Sequence, residues 1–227
     1  MTTSTDTPTP DLAALRRRLE DWLQWQQQAP RAATTPETAP ASPAAPADLA
    51  AGFAAFARDA WTPEQRQHWQ RVAAALSTEL AAQPPFALHG GLAPLGPVDW
   101  QRAPQGCGPL GFDLAALLRD PACVLDEADE LDLAIRYWER ARHALPGVDA
   151  DFGAFWRGFE WAALARHLRL VAARPESASR LAPGQARAER RLLAHIVRTA
   201  TRYMALKPLT LLIPDADGLL ADGFTLR

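Results

Sequence analysis

Hydrophobic positions recur along most of the chain at the three-to-four-residue spacing that is typical of amphipathic helices. They predict a first helix over residues 11–28, with Asp11 as its N-cap. The sequence Thr62-Pro63-Glu64-Gln65 combines a capping threonine, a proline at the first helical position and a capping-box glutamine, and it predicts a helix that extends to about Ala82. The same spacing predicts further helices over about residues 49–60, 112–119, 126–143, 151–173 and 183–206.

Prolines and glycines interrupt this helical pattern between residues 84 and 111. Residues 86–88 are a candidate short strand, and residues 98–100 are a second one after a succession of turns. The expected fold class is therefore mainly α, with a few very short strands around 86–100. The tail 211–227 shows no clear element.

Composition divides the chain into five expected parts. Proline, alanine and threonine dominate residues 1–10 and 29–48, which favours extended, unpacked chain in both. The parts are a disordered tail (1–10), an amphipathic helix (11–28), a Pro/Ala-rich linker (29–48), a helical domain (49–210) and a C-terminal tail (211–227).

The charge and cysteine content narrow the class of protein. A net charge of −2 gives no general attraction to nucleic acid. Cys107 and Cys123 do not form a disulfide framework and are expected to be reduced thiols. No secretory signal and no apolar run long enough to span a membrane is recognisable, so a cytoplasmic location is expected.

Several other patterns are expected to have no catalytic role. GCGPLG, residues 106–111, matches a dinucleotide-binding pattern, but no parallel strand precedes it and Pro109 removes one amide. The acidic run 126–132 is expected to be a solvated helix start, and 215–218 a turn rather than a calcium loop. Four histidines within helices show no partner spacing: His68, His143, His167 and His195.

The remaining pattern is FALHGGLAPLGPVDWQRA, residues 86–103, called the motif segment below. Together with three later blocks it resembles the C-terminal lobe of the aminoglycoside-phosphotransferase-like kinases over about residues 61–207. The closest resemblance is to the bacterial branch that phosphorylates the anomeric position of N-acetylmuramate and N-acetylglucosamine in cell-wall recycling. The later blocks are GPLGFDLAALLRDP (108–121), LDEADELDLAIRYWERAR (125–142) and DFGAFWRGFEWAALARHLRL (151–170).

The resemblance implies a set of catalytic parts, most of which this chain lacks. His89 matches the motif histidine, but Gly91 stands where the family has its catalytic aspartate. Gly96 stands where a magnesium-binding asparagine is expected, and the chain contains no asparagine at all. Asp99 matches the metal-binding aspartate, whereas Arg102 replaces a second acid. The hairpin between the two motifs is also shortened.

The resemblance also sets expectations for the rest of the chain. Asp113 matches a structural helix-cap acid of the family. The N-terminal lobe, which holds ATP in these kinases, is expected to be missing, because only a helix and a linker precede Trp61 and the single lysine is Lys207. No cofactor is expected, although the family uses ATP and Mg²⁺. A homodimer or a partner kinase chain is expected to cover the face that the missing lobe leaves.

Three functions remain open at this point. The leading hypothesis is a degenerate, inactive family member that acts as a binding or regulatory pseudo-enzyme. The first alternative is an amino-sugar phosphotransferase that another chain completes. The second is a helical protein-interaction module.

Overall fold

The structure, a computed structural model, describes residues 9–29, 61–173 and 183–223. In these ranges the chain is mainly helical, with one small sheet, which confirms the predicted fold class. The predicted linker 29–48 and helix 49–60 lie outside the described residues, apart from Ala29. The elements are α1 (Leu12–Gln28), α2 (Pro63–Ala82), β1 (Pro85–Ala87), β2 (Cys107–Pro109), α3 (Leu110–Leu118), α4 (Glu127–Ala144), α5 (Phe152–Ala172), α6 (Pro183–Arg202), a 3-10 helix (Lys207–Leu212) and α7 (Ala216–Gly223).

The helices begin where the capping residues predict. The Asp11 carboxylate accepts a hydrogen bond from an amide in the first turn of α1. At α2 the Thr62 amide donates to Gln65 Oε1 (2.9 Å) and the Gln65 amide donates to Thr62 Oγ1 (3.2 Å), which is the predicted capping box. The Asp126 carboxylate caps α4 by accepting from the Asp129 amide at 2.8 Å.

The sheet is a single antiparallel pair, and its second strand differs from the predicted one. The prediction of a strand at 98–100 is wrong, because the backbone turns there: the Asp99 carboxylate accepts from the Gln101 amide and the Asp99 carbonyl from the Arg102 amide. Strand β1 pairs instead with β2, which lies further along the chain than the predicted strand. The register pairs Pro85 with Pro109, Phe86 with Gly108 and Ala87 with Cys107.

The C-terminal region is more ordered than its sequence indicated. Helix α6 ends at Arg202, short of the predicted Leu206, and the 3-10 helix follows. The expectation that the tail has no element is wrong for the part that forms α7. Leu219 is buried at 3% exposure and its amide donates to the Asp215 carbonyl, so tertiary packing stabilises a short helix whose own pattern is weak.

The described residues divide into two compact units. The first comprises 9–29 and 83–163, and therefore includes α1, the sheet, α3, α4 and the part of α5 up to Ala163. Its core joins buried side chains from all four helices. They include Leu15, Leu19, Trp22, Trp25, Leu114, Leu117, Leu133, Tyr137, Phe155 and Phe159.

The second unit comprises 61–82, 164–173 and 183–223. Helix α2 packs against the 3-10 helix, and α6 packs against both the 3-10 helix and α7. The predicted apolar face of α2 is buried, as expected from its spacing. Its buried residues are Trp69, Val72, Leu76 and Leu80.

Candidate functional site

The motif segment begins at a buried turn that an aspartate from another element anchors. The Asp113 carboxylate, 2% exposed, accepts the His89 amide at 2.6 Å and the Gly90 amide at 3.3 Å. Gly90 has φ +67°, a left-handed conformation that favours glycine. Asp113 lies in the first turn of α3, so its carboxylate ties the start of that helix to the motif segment.

The His89 ring is fully buried and holds the two ends of the motif segment together. Its Nδ1 accepts from the Gly91 amide at 3.2 Å, so the ring proton lies on Nε2. Nε2 then donates to the Asp99 carbonyl at 3.0 Å. With both nitrogens engaged, this side chain positions the backbone rather than facing a ligand.

Helix α1 fixes the rest of the motif segment. The Trp25 indole nitrogen donates to the Arg102 carbonyl at 3.1 Å, and its ring meets the His89 ring edge-on at a centroid distance of 5.0 Å. The Arg18 guanidinium donates to the Ala93 carbonyl at 2.8 Å and to the Gly96 carbonyl. Sequence reasoning did not identify these contacts, because they join residues more than seventy positions apart and leave no local pattern.

The backbone conformation at residue 91 does not require glycine. It does not have the positive φ of Gly90. A Cβ at residue 91 would meet the Arg102 Nη1 atom at 2.7 Å, with the His89 ring at 3.5 Å as the next side chain. Since the first neighbour is the end of a flexible side chain, a larger residue could be accommodated there. The guanidinium of Arg102 therefore lies in the space that a side chain of residue 91 would enter.

Asp99 is exposed at the end of the motif segment. Its carboxylate accepts from the Gln101 amide at 3.1 Å. Among the described residues no group of three or more His, Cys, Asp or Glu side chains lies together as a metal site. Mg²⁺ requires several oxygen ligands in octahedral geometry, and the neighbouring Arg102 supplies a cation instead. The donor set of the motif segment therefore does not fit Mg²⁺, and Asp99 as a metal ligand stays a prediction.

A buried charge cluster lies elsewhere in the first unit. Arg119 Nε bonds Glu130 Oε1 at 2.6 Å and Arg119 Nη2 bonds Glu160 Oε1 at 3.2 Å, with all three side chains at most 2% exposed. The guanidinium also lies 4.6 Å from the Phe159 ring centroid. The expectation that 126–132 is a solvated run is therefore wrong for Glu130.

Tyr137 occupies the core between α1 and α4. Its hydroxyl donates to Gln26 Oε1 at 2.6 Å, and its ring stacks on Trp22 at a centroid distance of 4.8 Å. Burial raises the pKa of the Tyr137 hydroxyl well above its usual value of 10.0, and the negative charge of Asp113 raises it further. The core that supports the motif segment thus contains a phenol that resists ionisation.

A shallow pocket opens between α1 and α4, away from the motif segment. Leu19, Leu23, Leu133 and Tyr137 form its apolar part. Ion pairs surround it: Arg16 and Arg136 both bond Asp132, which lowers the pKa of that carboxyl chiefly through the hydrogen bond from Arg136. These two arginines are therefore already paired with a carboxylate.

The remaining candidate residues show no catalytic arrangement in the described ranges. Cys107 and Cys123 are free thiols, as expected. A strand does precede the helix at GCGPLG, but it is antiparallel, so the dinucleotide pattern lacks its required context. His167 and His195, which showed no partner spacing, stack at a centroid distance of 5.2 Å within the second unit. No described helix has the length and apolarity needed to cross a membrane.

Comparison with curated proteins gives two sequence relatives. One, an N-acetylmuramate/N-acetylglucosamine kinase of Neisseria meningitidis serogroup B, is 36% identical over 176 residues, which is 72% of this chain and 52% of the relative. The chain is related to these kinases. A second protein of the same name from Pseudomonas putida is 29% identical over 120 residues, 49% of this chain and 35% of the relative.

These matches define the extent of the relationship. The chain spans about half the length of the first relative and about a third of the second. No family model matches the chain. No solved structure matches it either. The relationship therefore rests on sequence identity to kinases of this name.

Proposed function

We propose that the chain is a degenerate member of the aminoglycoside/sugar phosphotransferase family that binds a ligand or partner without transferring phosphate. The observation that carries this proposal is the pairing of Gly91 with Arg102. A glycine has no group to accept the proton of a sugar hydroxyl, and the guanidinium occupies the space in which a carboxylate would act. Losing a general base alone costs about 10²- to 10⁴-fold in rate.

A second deficit reinforces the first. Phosphoryl transfer depends on neutralising charge with metal ions, which requires correctly placed oxygen ligands. Asp99 is one such ligand, but the chain has no asparagine to supply the family's second one, and Arg102 would repel a divalent cation. The acid/base group and the metal shell are both incomplete, so the residues of the motif segment cannot perform the reaction together.

Nucleotide binding is the most direct test. Titration calorimetry of the full chain with ATP and Mg²⁺ should show no binding in the micromolar range. Tight binding would refute this proposal and favour a phosphotransferase that another chain completes. ADP and a buffer blank serve as controls for heats of dilution.

Turnover is the second test. A coupled assay with N-acetylmuramate or N-acetylglucosamine, the sugars in the names of the relatives, should give no ADP above background. If turnover appears, the variant Asp99→Ala decides its source. Activity that survives in this variant comes from a contaminant, whereas activity that disappears belongs to the chain and contradicts the proposal.

The setting of this function is also part of the proposal. We place the protein in the cytoplasm, in cell-wall recycling, on the strength of its relatives and its free thiols. A homodimer or a partner kinase chain would cover the face that an N-terminal lobe covers in the family. Sedimentation of the chain alone and with an intact kinase of this name tests this: a purely monomeric, non-interacting chain would exclude both partners.

A further inference from the structure

Helix α1 lies in a groove of the first unit that α4 and the motif segment form, called the α1 groove below. Its buried apolar side chains recur three or four residues apart, which is the spacing of a helix that binds in a groove through one face. Each of them is at most 9% exposed. They are Leu15, Leu19, Trp22, Leu23 and Trp25. The α1 groove therefore fits an amphipathic helix with this pattern.

Ion pairs at the rim of the α1 groove join the helix to α4. Arg16 lies 3.1 Å from the Asp132 carboxylate, and Glu20 pairs with Arg140. The four side chains are 41–60% exposed. Their charges can therefore be reversed without burying an unpaired ion, and the match between the two sides reports which copy of α1 occupies the groove.

The chain between α1 and its groove is long. Residues 30–60 join α1 to the rest of the described chain, and a segment of that length reaches up to about 100 Å when fully extended. Helix α1 itself is only about 25 Å long. Its contacts with α4 and the motif segment are all non-covalent. The same contacts are therefore within reach of α1 from the same chain and of α1 from a second copy.

We propose that α1 exchanges between two copies of this chain, so that the α1 groove of each copy holds the helix of the other. Arg18 and Trp25 of one copy then bond the motif segment of the second. Because exchange replaces each contact by an identical one, the balance depends on protein concentration against the effective concentration of the tethered helix. For a tether of this kind that value is on the order of 1 mM, so the dimer is a minor species below it.

Charge reversal at the rim tests the exchange with full-length chains. A helix variant carries Arg16→Glu and Glu20→Arg, and a groove variant carries Asp132→Arg and Arg140→Glu. Within either variant α1 meets like charges, whereas in an exchanged dimer of the two variants both sets of pairs are matched again. The chain with all four substitutions is the matched control, because its pairs are matched within one copy.

The two variants are unfolded in urea and refolded together, with one of them isotope-labelled, and native mass spectrometry then counts monomers and mixed dimers. We expect the mixed dimer to have a dissociation constant at least about tenfold lower than the dimer of either variant alone or of the control. The advantage should shrink at high salt, because the reversed pairs are exposed. The unaltered chain and the control should be mostly monomeric at about 0.05 mM.

Each outcome decides the proposal. A mixture that contains only monomers overturns it. A control chain that dimerises as strongly as the mixture also overturns it, since a different surface would then hold the copies together. If a variant alone does not fold, recovery of a folded mixed dimer on joint refolding supports exchange, and no recovery contradicts it. Neither nucleotide nor sugar is present, so the ATP and turnover tests of the proposed function are decided separately.

Discussion

Arg119 and Arg102, both in the first unit, carry the same charge in opposite surroundings. Arg119 is 1% exposed and bonds two buried glutamates, whereas Arg102 is exposed and bonds no carboxylate in the described part of the chain. A buried charge must be paired or the fold loses several kcal/mol, but an exposed one can change at little cost. The folding of this unit therefore constrains Arg119 and leaves residues 91 and 102 unconstrained.

The difference shows which residues of the motif segment the fold itself requires. His89 and Asp113 bond backbone groups, so they are required for the turn itself. Gly91 contributes no side chain to this turn, so a substitution at residue 91 need not leave a buried group of the turn unsatisfied. The frame and the chemistry of the motif segment are energetically separate.

The largest expected effect comes from breaking the buried cluster. Arg119→Met should lower the free energy of unfolding by about 3–5 kcal/mol, because Glu130 and Glu160 would remain buried without their cation. Urea unfolding followed by tryptophan fluorescence measures it. Arg102→Gln, the exposed counterpart, should change the same quantity by less than about 0.5 kcal/mol.

A triple variant shows whether unpaired buried charge causes the loss of stability in Arg119→Met, even if Arg119→Met itself fails to fold. Replacing Arg119, Glu130 and Glu160 together with apolar residues of similar volume should recover most of the lost stability. If the triple variant is as unstable as Arg119→Met, the loss comes from packing and the unpaired charges are not its cause.

The second effect compares two glycines. A Cβ at Gly111 would lie 2.7 Å from the Phe159 backbone, so Gly111→Ala forces α3 away from α5 and should cost about 1–3 kcal/mol. The nearest neighbours of a Cβ at Gly91 are the end of Arg102 and the edge of the His89 ring, so Gly91→Ala should cost less than about 0.5 kcal/mol. Thermal and urea unfolding of both variants test the separation, and equal losses would contradict it.

The third effect is a pH dependence of the free energy of unfolding, caused by Tyr137 in the core of the first unit. Tyr137 stays protonated in the folded chain above pH 10.0 while the unfolded phenol ionises, so the unfolded state binds fewer protons. Stability should therefore fall as pH rises above about 10, by at most about 1.4 kcal/mol per unit for this group. Tyr137→Phe should flatten this slope. In a Tyr203→Phe background, the ultraviolet phenolate signal reports Tyr137 alone, and titration near pH 10.0 in the folded state would disprove the shift.

The smallest effect lies on the exposed rim of the α1–α4 pocket. Hydrogen bonds and charge from Arg136 and Arg16 hold the pKa of Asp132 below its usual 3.8. The stabilisation that the ionised Asp132 carboxylate provides is present above pH 3.8 and is lost as pH falls through its lowered pKa. Asp132→Asn should therefore reduce stability slightly at pH 7 and not at all at the acid end. If the stability difference between Asp132→Asn and the unaltered chain stays the same at high salt, this explanation is contradicted.

Local sequence signals predicted the helices of the frame well. The Asp11 cap, the Thr62–Gln65 capping box and the Asp126 cap each mark a helix start because the hydrogen bonds that define them span only two or three residues. The mainly α fold follows from these starts and from the apolar spacing. The candidate segment was identified from its residues, and the structure adds that the Arg102 guanidinium lies where a side chain of residue 91 would extend.

Non-local features could not be predicted in the same way. The partner of β1 is β2 rather than 98–100, and this choice depends on a pairing across about twenty residues. Glu130 is buried because Arg119 and Glu160 approach it from other helices, which no local pattern encodes. Helix α7 forms because Leu219 is buried, although residues 211–227 show little periodicity.

The bonds from Arg18 and Trp25 have a thermodynamic consequence for the chain. They close loops of more than seventy residues, so the order of the motif segment depends on whether α1 is docked. Any ligand that binds only the ordered segment must also strengthen the docking of α1, and the reverse must hold to the same extent. Helix α1 and such a ligand are then reciprocal effectors of one another.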